Sequence, residues 1–261
     1  MTATRASLRA DLEALGLAPG DAVLVHAALR KVGHVMGGAD TILDALRDAV
    51  GPQGTILGYT DWDGQDDVEN HPELRQHARP FDPLTSRSYR EHGFFPELLR
   101  TTPGALRSGN PGASMAAIGS KAAWFTADHA LDYGYGPQSP LAKLVEAGGK
   151  TLLLGAPLYT MTLLHHAEHL AQIPHKRMRR YETPFLVDGK TVWRQFEEFE
   201  TSDPVAAGLD EYFFVEIIEA FLATGKGKRG TVGAAPSILV EADQIVPFAV
   251  RWIETAVRSA S

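Results

Sequence analysis

Cysteine is missing altogether from the 261 residues. That excludes disulfides, thiolate metal ligands and a cysteine nucleophile. No apolar run approaches the ~20 residues that a membrane-spanning helix requires. The first fifteen residues carry charges where a signal peptide keeps an apolar core, so a cytoplasmic protein is expected. Basic excess is also missing: 25 Lys and Arg stand against 32 Asp and Glu, a net charge of −7. That balance argues against nucleic acid as a partner and mildly favours cationic ligands through electrostatic steering. The glycine-bearing loop at 27–38 contains neither GxGxxG nor GxxxxGK[ST], which leaves Rossmann and P-loop nucleotide sites without support there.

What remains is 44% hydrophobic, with 25 Gly and 16 Pro spread along the chain. This fits a single domain over 1–261, alone or with a smaller lobe formed by 61–113. Helix and strand patterns alternate, which predicts an α/β fold. An amphipathic helix is predicted at 4–15, with Leu8, Leu12 and Leu15 on one face. A strand follows at 22–26 (AVLVH), then a helix at about 40–50 and a strand at 54–59 (GTILGY), which KTLLLG at 150–155 echoes. Helical stretches are expected at 86–101, interrupted at Gly93 and Pro96, and at 120–128. Another is expected from 141 to 147, with Ser139 as N-cap and Pro140 at the first helical position. Strands at 183–187 and 190–196 flank Asp188-Gly189, a two-residue hairpin turn. Helices at 209–224 and 243–257 bracket a short strand at 237–240. The basic runs HKRMRR (175–180) and GKGKRG (225–230) are expected to be a solvated helix end and a flexible loop.

The chemistry concentrates at 155–174, GAPLYTMTLLHHAEHLAQIP, which leaves a strand and enters a helix. Helical residues three and four apart share a face, so Thr162, His165 and Glu168 stack, with His169 alongside. A hydroxyl, an imidazole and a carboxylate beyond a strand end could handle a proton. Two sharp possibilities follow. His165, Glu168 and His169 match H-x-x-E-H, a zinc-hydrolase pattern. Alternatively, and without metal, His165 is a general base for an amine or hydroxyl attacking an acyl donor, with Thr162 at the oxyanion. The loop TDWDGQDDVEN after Tyr59 gathers Asp61, Asp63, Asp66, Asp67 and Glu69 around Trp62, either a wall for an ammonium-rich ligand or a solvated acidic loop. Glu198 and Glu200 share a strand face. A non-catalytic protein sequestering cationic sugars would leave His165 and Thr162 without a task.

Seven ordered landmarks across nearly the whole chain resemble the aminoglycoside 3-N-acetyltransferases. They are VHAALRKVG (25–33), GYTDWDG (58–64), PFDP (80–83), RSGNPGASMAAIG (107–119), YGPQSPLAKL (135–144), LLLGAPLYTMTLLHHAE (152–168) and WRQFEEFETSD (193–203). The resemblance implies the antibiotic N-acetyltransferase fold, a central mixed sheet flanked by helices. It also implies acetyl-CoA as co-substrate, a cationic aminoglycoside as acceptor, no metal, and no nucleic-acid or membrane partner. By the same resemblance His165 is the catalytic base, Thr162 the hydroxyl near the reacting acetyl group, and Glu168 a second carboxylate. Glu198 and Glu200 position the base or bind the acceptor. His26, Ala27, Ala28, Leu29, Arg30, Val32 and Gly33, with Ser114, Met115 and Ala116, are implied to hold coenzyme A; Tyr59, Trp62 and Asp63 line the acceptor. The chain departs from the family pattern at Ala28, often Ser, at Asn110, often His, and at Glu200, commonly Asp. A non-antibiotic amine is the alternative acceptor.

Overall fold

The computed structural model describes residues 2–64, 68, 70–200, 204–205 and 209–260. Asp66, Asp67 and Glu69 of the acidic loop, and Thr201–Asp203 of the last landmark, lie outside the described residues.

Helix α1 (Arg5–Leu15) starts at a capping box in which Thr4 Oγ1 accepts from Ser7 N. It stops at Gly16, whose φ of 118° suits glycine. Strand β1 (Ala22–Ala27), helix α2 (Gly38–Val50) and strand β2 (Thr55–Tyr59) follow, then helix α3 (Phe94–Thr101). Next come the short β3 (Leu106–Arg107), β4 (Met115–Gly119), helix α4 (Ala122–Thr126), helix α5 (Pro140–Glu146) and β5 (Lys150–Leu154). Helix α6 (Leu163–Leu170) precedes the ribbon β6 (Met178–Val187) and β7 (Lys190–Phe199). The chain closes with α7 (Phe213–Ala223), β8 (Lys228–Val232), β9 (Ala235–Glu241) and α8 (Ala242–Ala260).

Seven strands form one sheet in the order β3-β4-β2-β1-β5-β9-β8. The centre is parallel, β1 pairing with β2 and β5, and the flanks are antiparallel, so the sheet is mixed. Strand alternation splits the apolar residues between two cores. Val23 and Val25 of β1 pack with Ile56, Leu152 and helices α1, α2 and α3. Leu24, with Leu57 and Leu153, packs against α5, α6, α7 and α8. Covering both faces explains why the central strands read as continuous apolar runs. A satellite core of Trp62, Phe81 and Phe185 ties the 60–90 region to the ribbon. Among the described residues no helix is long and apolar enough to cross a membrane.

Three expectations are corrected. Met178, Arg179 and Arg180 enter β6 opposite Phe199, Glu198 and Glu197, where cross-strand charge pairing favours the ladder. Lys176 of the same basic run does complement the end of α6, donating to His169 O at 2.8 Å. Lys228–Gly230 pair with β9 as an edge strand, and charged side chains are what a solvent-facing edge tolerates. The 86–101 stretch breaks at Gly93, φ 84°, as expected, but before it only Arg90–His92 form a 3₁₀ turn, and Pro96 is accommodated in the first turn of α3, where its missing N–H is not needed.

Candidate active site

Ligands of open α/β sheets gather outside the carboxyl ends of the parallel strands. Here the ends of β1, β2 and β5 deliver His26 to Ala28, Tyr59 and Ala156 to the rim of a cleft of about 720 Å³. Helix α6 contributes His165, with Thr162 immediately before it, and the β6–β7 ribbon contributes Arg179, Tyr181, Phe196 and Glu198.

The three-residue spacing of His165 and Glu168 closes a hydrogen bond of 2.6 Å between His165 Nδ1 and Glu168 Oε2. An ionised carboxylate only accepts, so Nδ1 carries the proton and Nε2 keeps its lone pair when the ring is neutral. Glu168 is 1% exposed and stands behind the imidazole, away from the cleft. The imidazole itself lies against the Tyr135 ring at 4.9 Å and the Phe214 ring at 4.9 Å. Thr162 sits at the N-cap position of α6 and is largely buried. Its Oγ1 makes a long 3.5 Å contact with Thr160 O, leaving the hydroxyl weakly held.

His169 turns to a different partner. Its Nε2 lies 2.8 Å from Glu198 Oε1, which joins α6 to the ribbon. Glu198 stands opposite Arg179 in the ladder, and Arg179 Nη1 approaches Glu200 Oε2 at 3.6 Å. This geometry speaks against the H-x-x-E-H zinc site. His165 and His169 face separate carboxylates, and Glu168 bonds His165 instead of a water. No group of three His, Asp or Glu is arranged for a metal among the described residues.

The wall at the end of β2 is aromatic and acidic. Tyr59 Oη and Tyr135 Oη lie 2.6 Å apart, and both donate to Gly112 O. The His92 ring leans on Tyr59 at 4.8 Å, and its Nε2 is 2.7 Å from Asp61 Oδ1. Burial, then the Asp61 charge, pushes both tyrosine hydroxyls well above their ordinary range, so they stay protonated. Burial, reinforced by His92 and His165, holds His26 neutral by lowering it to about 3. Asn110 braces this wall: Oδ1 accepts from Gly112 N and Ala113 N, while Nδ2 donates to Ala130 O and Leu131 O.

The cleft therefore assembles His165, Thr162, Glu198, Tyr59, Trp62, His26, Ala27 and Ala28. It does not gather every expected residue. Asp63 faces a second cavity, of about 660 Å³, on the other side of Trp62, and its Oδ1 accepts from Arg90 N. Ser114, Met115 and Ala116 are buried in or beside β4, with Ser114 Oγ donating to Thr60 O. Their side chains belong to the sheet and its two cores. Val32 is core, Arg30 is exposed, and Leu29–Val32 form a 3₁₀ turn, capped by Gly33, beyond the cleft rim. Glu200 lies just past β7 beside Arg179, outside the lining. Sequence reasoning missed His92, Tyr135 and Arg179 as cleft residues, and singled out Asp63 where Asp61 lines the cleft. Tyr135 precedes a Gly-Pro turn and Arg179 hides in a basic run, so only the tertiary fold marks them.

The sequence model of the aminoglycoside 3-N-acetyltransferase family (Antibiotic_NAT) matches residues 24–254. Aminoglycoside N(3)-acetyltransferase III of Pseudomonas aeruginosa is 48% identical over 259 residues, covering 97% of this chain and 94% of that protein. Aminoglycoside N(3)-acetyltransferase VIII of Streptomyces fradiae is 46% identical, covering 99% and 94%. Among solved structures, AAC-IIIb in a binary complex with CoASH matches with a TM-score of 0.94 at 60% identity, over 98% of this chain and 97% of that one. Sisomicin-bound AAC-VIa matches with a TM-score of 0.92 at 35% identity, over 98% and 99%.

Proposed function

The chain belongs to the aminoglycoside 3-N-acetyltransferase family, an acyltransferase family, and from that premise we propose how its cleft moves an acetyl group from acetyl-CoA to the 3-amino group of a cationic aminoglycoside. The observation that carries the mechanism is the His165–Glu168 hydrogen bond, with the imidazole presented to the cleft. Both substrates bind together. His165 Nε2 takes a proton from the attacking amine and returns it to the departing sulfur, while Glu168 fixes the tautomer and steadies the imidazolium. The nitrogen attacks the thioester carbonyl directly. Thr162 donates its weakly held hydroxyl to the developing oxyanion. An acetyl-enzyme is disfavoured because the chain has no Cys and Thr162 has no base of its own.

Asp61 and Glu198, with the nearby Glu200, supply negative charge for the acceptor's ammonium groups, and Tyr59 and Trp62 supply ring faces. His26 to Ala28, at the cleft rim, approach the donor. Acetylation removes a positive charge and hydrogen-bond donors from the drug, which weakens its hold on anionic RNA and gives resistance. A cytoplasmic location follows from the use of acetyl-CoA.

The test is acetyl-CoA turnover followed as thiol release with a panel of aminoglycosides, with and without EDTA. Drug-dependent release indifferent to EDTA is expected. His165→Ala should bind both substrates yet lose kcat by about 10²–10⁴-fold. An unimpaired His165→Ala would falsify the base assignment, and release with other amines only would move the acceptor away from antibiotics.

A further inference from the structure

The reaction has a proton balance that one imidazole does not close. An aliphatic ammonium is protonated at neutral pH, with a pKa near that of Lys, about 10.4. The balanced change is R–NH₃⁺ plus CH₃CO–S–CoA giving R–NH–COCH₃, CoA–SH and H⁺. A C–N bond forms, a C–S bond breaks, and nothing is oxidised or reduced. Nitrogen sheds two protons: one ends on sulfur and one leaves to solvent. His165 can carry the proton that passes from nitrogen to sulfur. The other must leave before the lone pair can attack.

The cleft holds a second imidazole beside a carboxylate. His92 Nε2 lies 2.7 Å from Asp61 Oδ1, a close charge contact without the aligned hydrogen bond that joins His165 Nδ1 to Glu168 Oε2 at 2.6 Å. A continuous row of side chains connects the two pairs. The His165 ring lies 4.9 Å from Tyr135, the two tyrosine oxygens are 2.6 Å apart, and the Tyr59 ring is 4.8 Å from His92. His92 closes the 3₁₀ turn Arg90–His92, lines the cleft, and leaves 32% of its side chain exposed. The groups that face it are Asp61, the Tyr59 and Tyr89 rings, and His26, with Glu91 beside it on its own turn. Of these, Tyr59 stays protonated and His26 stays neutral, and the partly exposed His92 with Asp61 is the pair placed at the cleft to accept a proton.

We propose that His92, held by Asp61, is a second catalytic proton acceptor, which takes the first proton from the acceptor ammonium while His165 serves the attacking amine and the leaving thiolate. The assignment rests on the acetyl-transfer function above. Asp61 would stabilise the resulting imidazolium, and solvent at the cleft mouth would receive its proton.

The test compares wild type, His92→Gln and Asp61→Asn by thiol release across pH 6.5–9.5, using an aminoglycoside that the wild type acetylates. At pH 7, His92→Gln should lose about 10²–10³-fold in kcat/KM. The deficit should shrink about tenfold per pH unit as free amine replaces ammonium. Asp61→Asn should show the same convergence with a smaller loss. In His92→Gly, imidazole added to the buffer should restore turnover at pH 7, and calorimetric binding of free coenzyme A reports that the cleft is folded. A loss independent of pH, an indifferent His92→Gln, or a folded His92→Gly that imidazole does not rescue overturns the proposal. A wild type inactive with every drug overturns the acetyl-transfer function instead, and this inference with it.

Discussion

His26 is a histidine that has been denied its usual titration. It shares the sheet face of Leu24, sits at the carboxyl end of the central strand, and is kept neutral first by burial and then by two neighbouring imidazoles. An unfolded chain takes up a proton there near pH 6.5, whereas the folded chain resists until about 3. Between those values the unfolded state binds more protons, so stability falls as pH falls through 6.5 and stops changing on this account below about 3. Urea midpoints from pH 8 to 4 should therefore decline less steeply in His26→Gln than in wild type. Equal slopes would mean that His26 charges freely in the folded state. Residues that act through a short spacing were legible at this scale. Thr162, His165 and Glu168 share a helix face because three residues make nearly one turn. The meeting of Asp61 with His92 was not, since a 3₁₀ turn and the end of a central strand bring them together across a long segment without periodic pattern.

Elements were legible where a turn or cap has its own chemistry. Ser139-Pro140 marks the start of α5, and Ser139 Oγ accepts from Ala142 N at 3.1 Å while the residue is fully buried. Ser139→Ala should cost about 1 kcal/mol, lowering Tm by roughly 2–4 °C for a chain of this size. An unchanged melting curve would show that water or a neighbour replaces the cap. Asp188-Gly189 likewise announced the ribbon, with both residues at positive φ as a two-residue hairpin turn demands. What the pattern concealed was where the ribbon ends. Its far half carries adjacent charges, Arg179-Arg180 and Glu197-Glu198, in place of an apolar alternation, and Arg180 pairs with Glu197 at 3.0 Å across the strands. The edge strand β8 was hidden for a related reason: KRGTV carries little apolar signal and owes its conformation to the ladder with β9.

At the scale of the whole molecule, a ternary complex has a thermodynamic signature that sequential occupancy lacks. Free coenzyme A at 100 times its Kd should stabilise the fold by about 2.7 kcal/mol. A drug added to that saturated complex should raise Tm again, because neither ligand displaces the other. A drug that stabilises only the coenzyme-free protein would contradict simultaneous binding. With a net charge of −7 and carboxylates at the cleft, the KM for a polycationic acceptor should also rise between 0.05 and 0.5 M salt as the Debye length shrinks, from roughly 14 to 4 Å. The alternating apolar runs made the α/β class visible in the sequence, whereas the mixed strand order was not. Antiparallel β4 and β9 flank the parallel centre through long connections that leave no local mark.

The β6–β7 ribbon forms a wall of the cleft, yet among the described residues it shares no backbone ladder with the seven-stranded sheet that carries the core. That wall of the cleft and the strands that carry the core are thereby separate pieces of backbone. Side chains such as Arg179, Tyr181 and Phe196 can therefore change the lining of the cleft without altering a backbone ladder of the core sheet.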